Sequence, residues 1–304
     1  MGLKIEKVSK TYGDKKVVDS ISFNMDKPGV YGLLGANGAG KTTTMRMILN
    51  IIQKDEGEIT WNGKKVCKEN VRFGYLPEER GIYGKAKLYD QLVYFAMLKG
   101  MKKEEAKEAT ISWCKKLGLE DYLYKPAEQL SKGNQQKVQL MIAIIHKPEL
   151  LILDEPFSGL DPVNTKIIKE IIFELINQGT YIILSSHQMA VVEEYCQDIV
   201  MLKQGKTVLQ GNLNEIKKSY GRNNLLIETY QNIENYIPKD FKLIDKKANG
   251  YEFKIEKEDD AQMLLETLVE NKIVIQKFEL KEPSLQEILT MQQKLPKNSR
   301  KISI

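Results

Sequence analysis

Residues 30–42 read Val-Tyr-Gly-Leu-Leu-Gly-Ala-Asn-Gly-Ala-Gly-Lys-Thr. The apolar run at 30–34 is typical of a β-strand, and a helical pattern opens at 43–50. Between them, residues 35–42 match the phosphate-loop pattern G-x-x-x-x-G-K-[ST], in the strand-to-helix context that this pattern requires. Glycines let a backbone wrap closely around phosphates, and a helix N-terminus offers aligned N–H donors. The segment therefore predicts a phosphate site in an α/β fold.

Individual roles follow from the chemistry of this loop. Lys41 can reach the β- and γ-phosphates of a nucleotide, and the Thr42 hydroxyl is suited to binding Mg²⁺. A glycine-rich turn with an incidental Lys-Thr pair is the alternative interpretation. The residues that we assign to nucleotide binding here are Gly35, Asn37, Gly38, Gly40, Lys41, Thr42 and Thr43.

A second motif ends in two acids. Residues 150–155 read Leu-Leu-Ile-Leu-Asp-Glu, which places Asp154 and Glu155 at the carboxyl edge of a buried strand, where α/β sheets bind ligands. Asp154 is suited to holding Mg²⁺, and Glu155 to orienting and deprotonating an attacking water. A strand end that only emerges into solvent is the alternative, but it would leave the loop of Lys41 without a metal partner.

The first two thirds of the chain alternate β-rich runs with helical patterns, which predicts a mostly parallel sheet covered by helices. The runs at 150–153 and 181–184 are almost continuously apolar, as in strands buried on both faces. A largely helical stretch spans about 87–146. After about Asn212 the sequence pattern changes, and it predicts a separate, small α+β unit. We therefore expect domains at 1–211 and 212–290, followed by a basic tail at 291–304.

Local signals in the small unit are specific. Asn249-Gly250 between two β-rich runs predicts a hairpin with a type I′ turn. Asp259 and Asp260 can cap a helix. The apolar face predicted for that helix consists of Leu264, Leu265, Leu268 and Val269.

Residues 130–136 read Leu-Ser-Lys-Gly-Asn-Gln-Gln, which resembles the Leu-Ser-Gly-Gly-Gln signature of ABC transporters. With the two motifs above, the chain resembles the nucleotide-binding subunit of that family over about residues 3–211. In the family the signature faces the ATP held by the other subunit, so the resemblance implies that Ser131 and Gly133 contact the γ-phosphate in trans. Lys132 and Asn134 depart from the common form. Ser131 is also a plausible helix N-cap.

Three further residues match family positions. Asp161 lies in a segment that resembles the D-loop, which crosses the dimer interface, and it is also a good cap before Pro162. His187 follows a buried strand and matches the switch histidine that contacts the γ-phosphate. Tyr12 resembles the aromatic residue that stacks on adenine; an exposed tyrosine on a strand is the alternative.

Glu78 is the departure from the family pattern with the largest mechanistic consequence. The segment 74–78 occupies the place of the Q-loop, and glutamate stands where glutamine is usual. It adds a negative charge beside the metal and the attacking water, so the candidate metal ligands are Thr42, Asp154 and Glu78. The run that begins at Glu78, the Lys-Gly-Asn signature and the C-terminal unit together resemble the sodium- and drug-export branch.

The resemblance implies a RecA-like P-loop core with a helical lobe at about 77–145 and a small C-terminal α+β domain. It implies an ATPase that uses ATP and Mg²⁺ and powers export through a separate integral-membrane permease. A second nucleotide-binding subunit, identical or a paralogue, completes the dimer, and the expected position is peripheral at the cytoplasmic face of the membrane. The catalytic residues implied are Glu155, His187 and Lys41.

Two alternative functions remain open at this stage. The first is an ABC protein that acts on ribosomes or DNA, but such relatives usually carry two cassettes or long coiled-coil insertions, which this chain lacks. Its basic residues are scattered and its net charge is only +5, so we expect no nucleic acid as partner. The second is a regulatory ATP-binding module without useful turnover. Glu155 and His187 argue against it, whereas Glu78 keeps it open.

Overall fold

The computed structural model describes residues 2–79, 81–247 and 249–294. The chain forms two compact units, with the division between Gln210 and Gly211. Within the described ranges, no helix combines the length and the apolar composition that a membrane span needs.

The first unit contains two sheets and their helices. Its strands are β1 (Leu3–Tyr12), β2 (Lys15–Met25), β3 (Gly29–Leu34), β4 (Glu56–Trp61), β5 (Lys64–Lys65), β6 (Phe73–Leu76), β7 (Leu150–Asp154), β8 (Tyr181–Ser186), β9 (Asp198–Lys203) and β10 (Lys206–Asn212). Its helices are α1 (Lys41–Ile48), α2 (Leu88–Leu98), α3 (Lys103–Lys116), α4 (Lys132–Ile144), α5 (Pro162–Asn177) and α6 (Met189–Tyr195).

The larger sheet has the strand order β10-β9-β3-β8-β7-β6, and the neighbours from β9 to β6 pair in parallel. Every residue of β3 and β7 is buried, which explains their continuous apolar composition. Their carboxyl ends lie level, because Ser185 of β8 pairs with both Leu33 and Asp154. The predicted parallel sheet is confirmed, and one edge of it carries both sequence motifs.

The smaller sheet, ordered β2-β1-β4-β5, is antiparallel and packs on the larger one. A single hydrophobic cluster contains Leu3 and Ile5 of β1, Leu33 of β3 and Ile152 of β7. Met45 of α1 belongs to the same cluster, so the helix that follows the phosphate loop is fixed in the core. α1 begins at Lys41, two residues earlier than the pattern at 43–50 predicts, since its N-cap is Gly40.

The helices between the two motifs fall in the stretch predicted to be helical. α2 and α3 pack through Val93, Ala96 and Ala106, together with Ile145, which follows α4. α5 connects β7 to β8 and buries one of its faces. That face consists of Ile168, Ile171, Ile172 and Leu175, at the helical spacing expected of an amphipathic helix.

The second unit begins with α7 (Leu213–Ser219) and continues through β11 (Asn224–Glu228), β12 (Lys242–Lys247), β13 (Gly250–Lys254), α8 (Glu258–Glu270), β14 (Lys277–Lys281) and α9 (Leu285–Lys294). Its sheet is antiparallel in the order β12-β13-β11-β14. Ala261, Leu264 and Leu268 of α8 join Leu225 and Ile227 of β11 in the core of this unit. The unit is therefore α+β.

Local predictions in this unit need correction. Gly250 pairs with Lys247 and belongs to β13, so it is not the second residue of a type I′ turn; Ala248 lies outside the described residues. Val269 is 61% exposed because it lies beside the buried face of α8 rather than on it. α8 begins before the expected cap, and the carboxylate of Asp260 accepts from the Lys257 N–H at 3.2 Å. α9 continues into the segment expected to be a tail, whose residues 295–304 lie outside the described ranges.

His146, at the end of α4, is a buried group with a pH-dependent effect on the fold. Its Nε2–H donates to the Phe73 carbonyl oxygen at 3.0 Å, and no hydrogen-bond partner reaches Nδ1 in the described part of the chain. Burial, with a smaller effect of the positive charges of Lys99 and Arg72, lowers the pKa of His146 from 6.5 to about 4. The imidazole is therefore neutral in the folded chain at neutral pH.

Acid should destabilise the first unit through this group. The unfolded chain binds a proton as the pH falls through 6.5, whereas the folded chain binds it only near 4, so protons favour the unfolded state between these values. The contribution is fully present above pH 6.5, and a loss of about 3 kcal/mol is expected by pH 4. His146→Gln keeps a donor for Phe73 without titrating. Denaturant unfolding at pH 7.5 and 4.5 should show a smaller loss for the variant; equal losses would contradict this assignment.

Candidate functional site

The loop between β3 and α1 is packed tightly against its neighbours. Gly40 has φ 103°, and a Cβ at this position would lie 2.8 Å from the Val17 carbonyl oxygen, so only glycine fits. The Lys41 ammonium is buried and donates to the Gly35 carbonyl oxygen at 2.7 Å. A second acceptor, the Ala36 carbonyl oxygen, lies 3.4 Å away. The loop thus holds one cation at the N-terminus of α1.

A cavity of about 260 Å³ opens beside this loop. Its lining residues are Val17, Asn37, Gly38, Ala39, Gly40, Lys41, Thr42, Thr43, Glu78, Asp154 and Glu155. The two sequence motifs, more than 100 residues apart, therefore meet, together with Glu78. Val17 was not predicted, because a lone valine of β2 carries no recognisable chemical signal.

Asp154 is held at both of its carboxylate oxygens. The Thr42 hydroxyl donates to Oδ2 at 3.2 Å, and the Ser185 hydroxyl donates to Oδ1 at 2.5 Å. Ser185 is fully buried, and its Oγ also accepts from the N–H of Glu155 at 3.2 Å. Sequence reasoning gave Ser185 no role. The signal that identifies it is the pairing of β7 with β8, which places Ser185 opposite Asp154.

Glu155 lies just past the end of β7 in an unusual backbone conformation. Its φ of 50° is in the left-handed region, which non-glycine residues enter only where the surrounding structure holds them. His187 follows β8 and bonds to this carboxylate, with 2.9 Å between Nδ1 and Oε1. Since the carboxylate accepts, Nδ1 is the donor, and the half-exposed imidazole orients the buried acid.

The pKa of Tyr75 reflects negative charge near the cavity. Burial raises the pKa of the Tyr75 hydroxyl, and the negative charge of Asp154 raises it further, with a smaller effect of Glu78; Arg46 opposes them. This agrees with the presence of Glu78 in the cavity wall, where Asp154 and Glu155 add two more acidic groups.

The remaining predicted site residues lie away from this cavity wall. Tyr12 is 48% exposed on β1, with the Lys10 ammonium 5.4 Å from its ring centroid. Ser131 caps α4, since its Oγ accepts from the Asn134 N–H at 3.3 Å. Gly35 contributes only its carbonyl oxygen to Lys41. The N-cap interpretation of Ser131 therefore holds in the structure.

Asp161 and Gly133 meet at the start of α5. Asp161 caps this helix by accepting from the N–H groups of Val163 and Asn164, each at 3.0 Å. A Cβ at Gly133 would overlap the Asn164 side chain, whose Nδ2 donates to Asp161. We call Ser131, Gly133, Asp161 and Asn164 the signature cluster. Ser131 and Asp161 are exposed and Gly133 is buried, and none of the four residues lines the cavity.

Two family models match the chain, one within each of its two units. A family model described as "ABC transporter" matches residues 18–158, and one described as "ATP-binding protein DrrA1-3-like, C-terminal domain" matches 211–291. The ABC transporter ATP-binding protein YhaQ of Bacillus subtilis (strain 168) is 47% identical over 289 residues, which cover 94% of this chain and 96% of that protein. The chain belongs to the ABC transporter ATP-binding proteins.

Other relatives of this ABC subunit agree. A solved ATP-binding subunit of an ABC transporter superposes with a TM-score of 0.67 at 31% identity, over 73% of this chain and 94% of that one. The linearmycin resistance ATP-binding protein LnrL of Bacillus subtilis (strain 168) is 33% identical over 76% of each chain. The prediction of a RecA-like α/β subunit that binds and hydrolyses ATP is confirmed. ABC subunits of this kind work with a membrane permease.

A matched pair of serine variants tests the role of Ser185. Ser185→Ala removes the donor to Asp154 and one of two acceptors of the Glu155 N–H, which keeps the Ser185 carbonyl oxygen at 3.3 Å. ATP turnover should therefore fall roughly tenfold or more. A loss of about 1–3 kcal/mol in unfolding free energy should accompany it. Ser186→Ala is the control, because this buried hydroxyl accepts from the Gln188 N–H at 2.9 Å, a contact outside the cavity wall. Equal turnover losses in both variants would assign the effect to general packing of β8.

Proposed function

We propose that this subunit hydrolyses ATP at the cavity beside Lys41 and thereby powers export of a substrate through a separate integral-membrane permease. The observation that carries the proposal is the convergence of Lys41, Asp154 and Glu155 on one cavity wall. Export is supported by two likenesses, since LnrL is a resistance protein and the C-terminal unit matches a DrrA1-3-like domain.

The oxygen donors at the cavity fit Mg²⁺. The Thr42 hydroxyl and the Asp154 carboxylate are in contact, and hard cations prefer oxygen ligands of this kind. Mg²⁺ often takes only one or two carboxylates from a protein and completes its coordination with phosphate oxygens and water. We propose Thr42 and Asp154 as its protein ligands, with Glu78 within reach. When bound, Mg²⁺ neutralises charge on the phosphates.

Proposed roles for the chain's own groups follow from their contacts. Lys41 and the N–H groups at the start of α1 hold the phosphates, and residues 35–43 shape the loop around them. Glu155 accepts a proton from the attacking water, while His187 holds Oε1 and so leaves Oε2 for that water. The buried surroundings strengthen each of these charge interactions. Tyr12 is proposed to contact the adenine, as its family position implies.

The signature cluster supports a dimer. Ser131 and Asp161 are exposed, and neither they nor the buried Gly133 beside them line the cavity of their own chain, which fits contact with the ATP of a second nucleotide-binding subunit. We propose that two such subunits, identical or paralogous, close head to tail at the cytoplasmic face of the membrane. The C-terminal unit carries no phosphate loop and is proposed as a dimerising or regulatory module.

Replacing Glu155 by glutamine tests the proposed base. Glu155→Gln keeps the shape of the side chain and removes its basicity, so turnover should fall by roughly 10²- to 10⁴-fold while ATP still binds. An ATP-bound dimer should accumulate and be visible by size-exclusion chromatography. Glu149→Gln, at the opposite end of β7, is the control and should hydrolyse ATP like the wild type. A Glu155 variant with wild-type turnover would place the base elsewhere.

The charge of Glu78 is expected to weaken binding of ATP without metal. Glu78→Gln removes one of three carboxylates from the cavity wall and should tighten metal-free ATP binding by about 1 kcal/mol, or roughly fivefold. Saturating Mg²⁺ should reduce the difference. Nucleotide affinity is measured in EDTA and in Mg²⁺ at matched ionic strength.

The adjacent glutamate supplies the control for that experiment. Glu79→Gln removes the same charge one residue beyond Glu78, at a side chain that does not line the cavity. It should leave the affinity in EDTA unchanged. If Glu78→Gln also changes nothing, its carboxylate points away from the phosphates, and contact with the permease becomes its proposed role.

A further inference from the structure

Two glutamine amides on one face of α4 bind the backbone of two different loops. Gln136 Nε2 donates to the Pro156 carbonyl oxygen at 3.2 Å, and Gln139 Nε2 donates to the Glu79 carbonyl oxygen at 3.3 Å. The two side chains are three residues apart, so they project from the same face of the helix. They are only 4% and 6% exposed, and their bonds are therefore shielded from competing water.

Both acceptors adjoin carboxylates of the cavity wall. Pro156 directly follows Glu155, and Glu79 directly follows Glu78. Each amide therefore fixes the peptide group next to an acid rather than the acid itself. A shift of either peptide group would move the neighbouring carboxylate, because the two are joined through only a few rotatable bonds.

The second polar atom of the Gln139 amide has no partner among the described residues. Its Oε1 is buried, and no hydrogen-bond donor reaches it in the part of the chain that the structure describes. A buried amide with one unsatisfied end costs stability relative to an apolar side chain of similar size. Within the described ranges, the bond to the Glu79 carbonyl oxygen is the polar contact that offsets part of this cost.

α4 itself is fixed at both ends. Near its C-terminus the helix backbone lies directly on β6, since a Cβ at Gly74 would overlap the Ala143 carbonyl oxygen. Midway, the buried Lys137 ammonium donates to the Leu117 carbonyl oxygen at 3.0 Å. At its N-terminus the helix carries Ser131 and Gly133 of the signature cluster. One rigid helix therefore connects the signature cluster to both acid-bearing loops.

We propose that Gln136 and Gln139 are positioning residues that hold Glu155 and Glu78 in place relative to the signature cluster. The proposal rests on the proposed function for the roles of Glu155 and Glu78. The two hydrogen bonds themselves can be tested without ATP turnover.

The test uses Gln136→Met and Gln139→Met, which keep an unbranched side chain of similar length and remove the donor. Hydrogen–deuterium exchange should become faster at residues 155–158 only in the first variant and at residues 77–79 only in the second. In steady-state kinetics, Gln136→Met should lower kcat roughly tenfold or more with little change in the KM for ATP, because a base is displaced while the phosphate loop is intact. Gln178→Met, an exposed glutamine at the end of α5, is the control.

Nucleotide binding supplies a second readout for Gln139. In a Gln139→Met background the loop is released, so Glu78→Gln should change the affinity for metal-free ATP by less than in the wild-type background. Gln136→Leu and Gln139→Leu, which also remove the donor without burying a charge, repeat the experiment if a methionine variant does not fold.

The outcomes separate this inference from the proposed function. Wild-type exchange in both loops, or equal exchange changes in both loops of both variants, would overturn the positioning role. The role would also be overturned if each variant changed exchange only in its own loop but Gln136→Met kept the wild-type kcat. That result would leave the proposal of ATP hydrolysis at Glu155 intact. Failure of the proposed function appears elsewhere, as wild-type turnover in Glu155→Gln.

Discussion

A buried carboxylate with two hydroxyl donors organises the centre of this subunit. Asp154 accepts from Thr42 at the start of α1 and from Ser185 at the end of β8, so three separate chain segments meet at one acid. A buried charge is stable only when its oxygens are satisfied, and here both are. The arrangement is possible because β3, β8 and β7 pair in parallel and end level. The phosphate loop, Glu155 and His187 are all placed by this edge of the sheet.

The helical segment between the two motifs also contacts the loops that carry the acids of the cavity. Its last helix lies on β6 without an intervening side chain at Gly74, which leaves little freedom for relative sliding. The helix also touches the backbone beyond Glu155 and beyond Glu78, through bonds that span 20 and 60 residues of sequence. The three acids of the cavity therefore take their positions from two sources, the sheet for Asp154 and the sheet together with α4 for Glu155 and Glu78.

Sequence reasoning worked where the chemistry is local. The loop from Gly35 to Thr42 and the acids after β7 are short patterns in which spacing implies geometry, and the structure brings them to one cavity. A role for Ser185 was not predicted because it depends on strand register, which a single sequence does not reveal. Roles for Gln136 and Gln139 were not predicted for a related reason, since their partners are backbone atoms of distant segments. Within the second unit, the turn at Asn249 was misplaced because pairing across the hairpin, not dipeptide preference, decides which residues belong to the strands.

The contacts of Lys41 bear on how the loop selects its ligand. The ammonium donates to the Gly35 carbonyl oxygen at 2.7 Å, and the Ala36 carbonyl oxygen lies 3.4 Å away. An ammonium carries three N–H donors, so a phosphate can bind to Lys41 while these backbone contacts persist. The contacts that shape the loop thus also hold its cation in place, and a polyanion gains more from a fixed cation than a weakly charged group does.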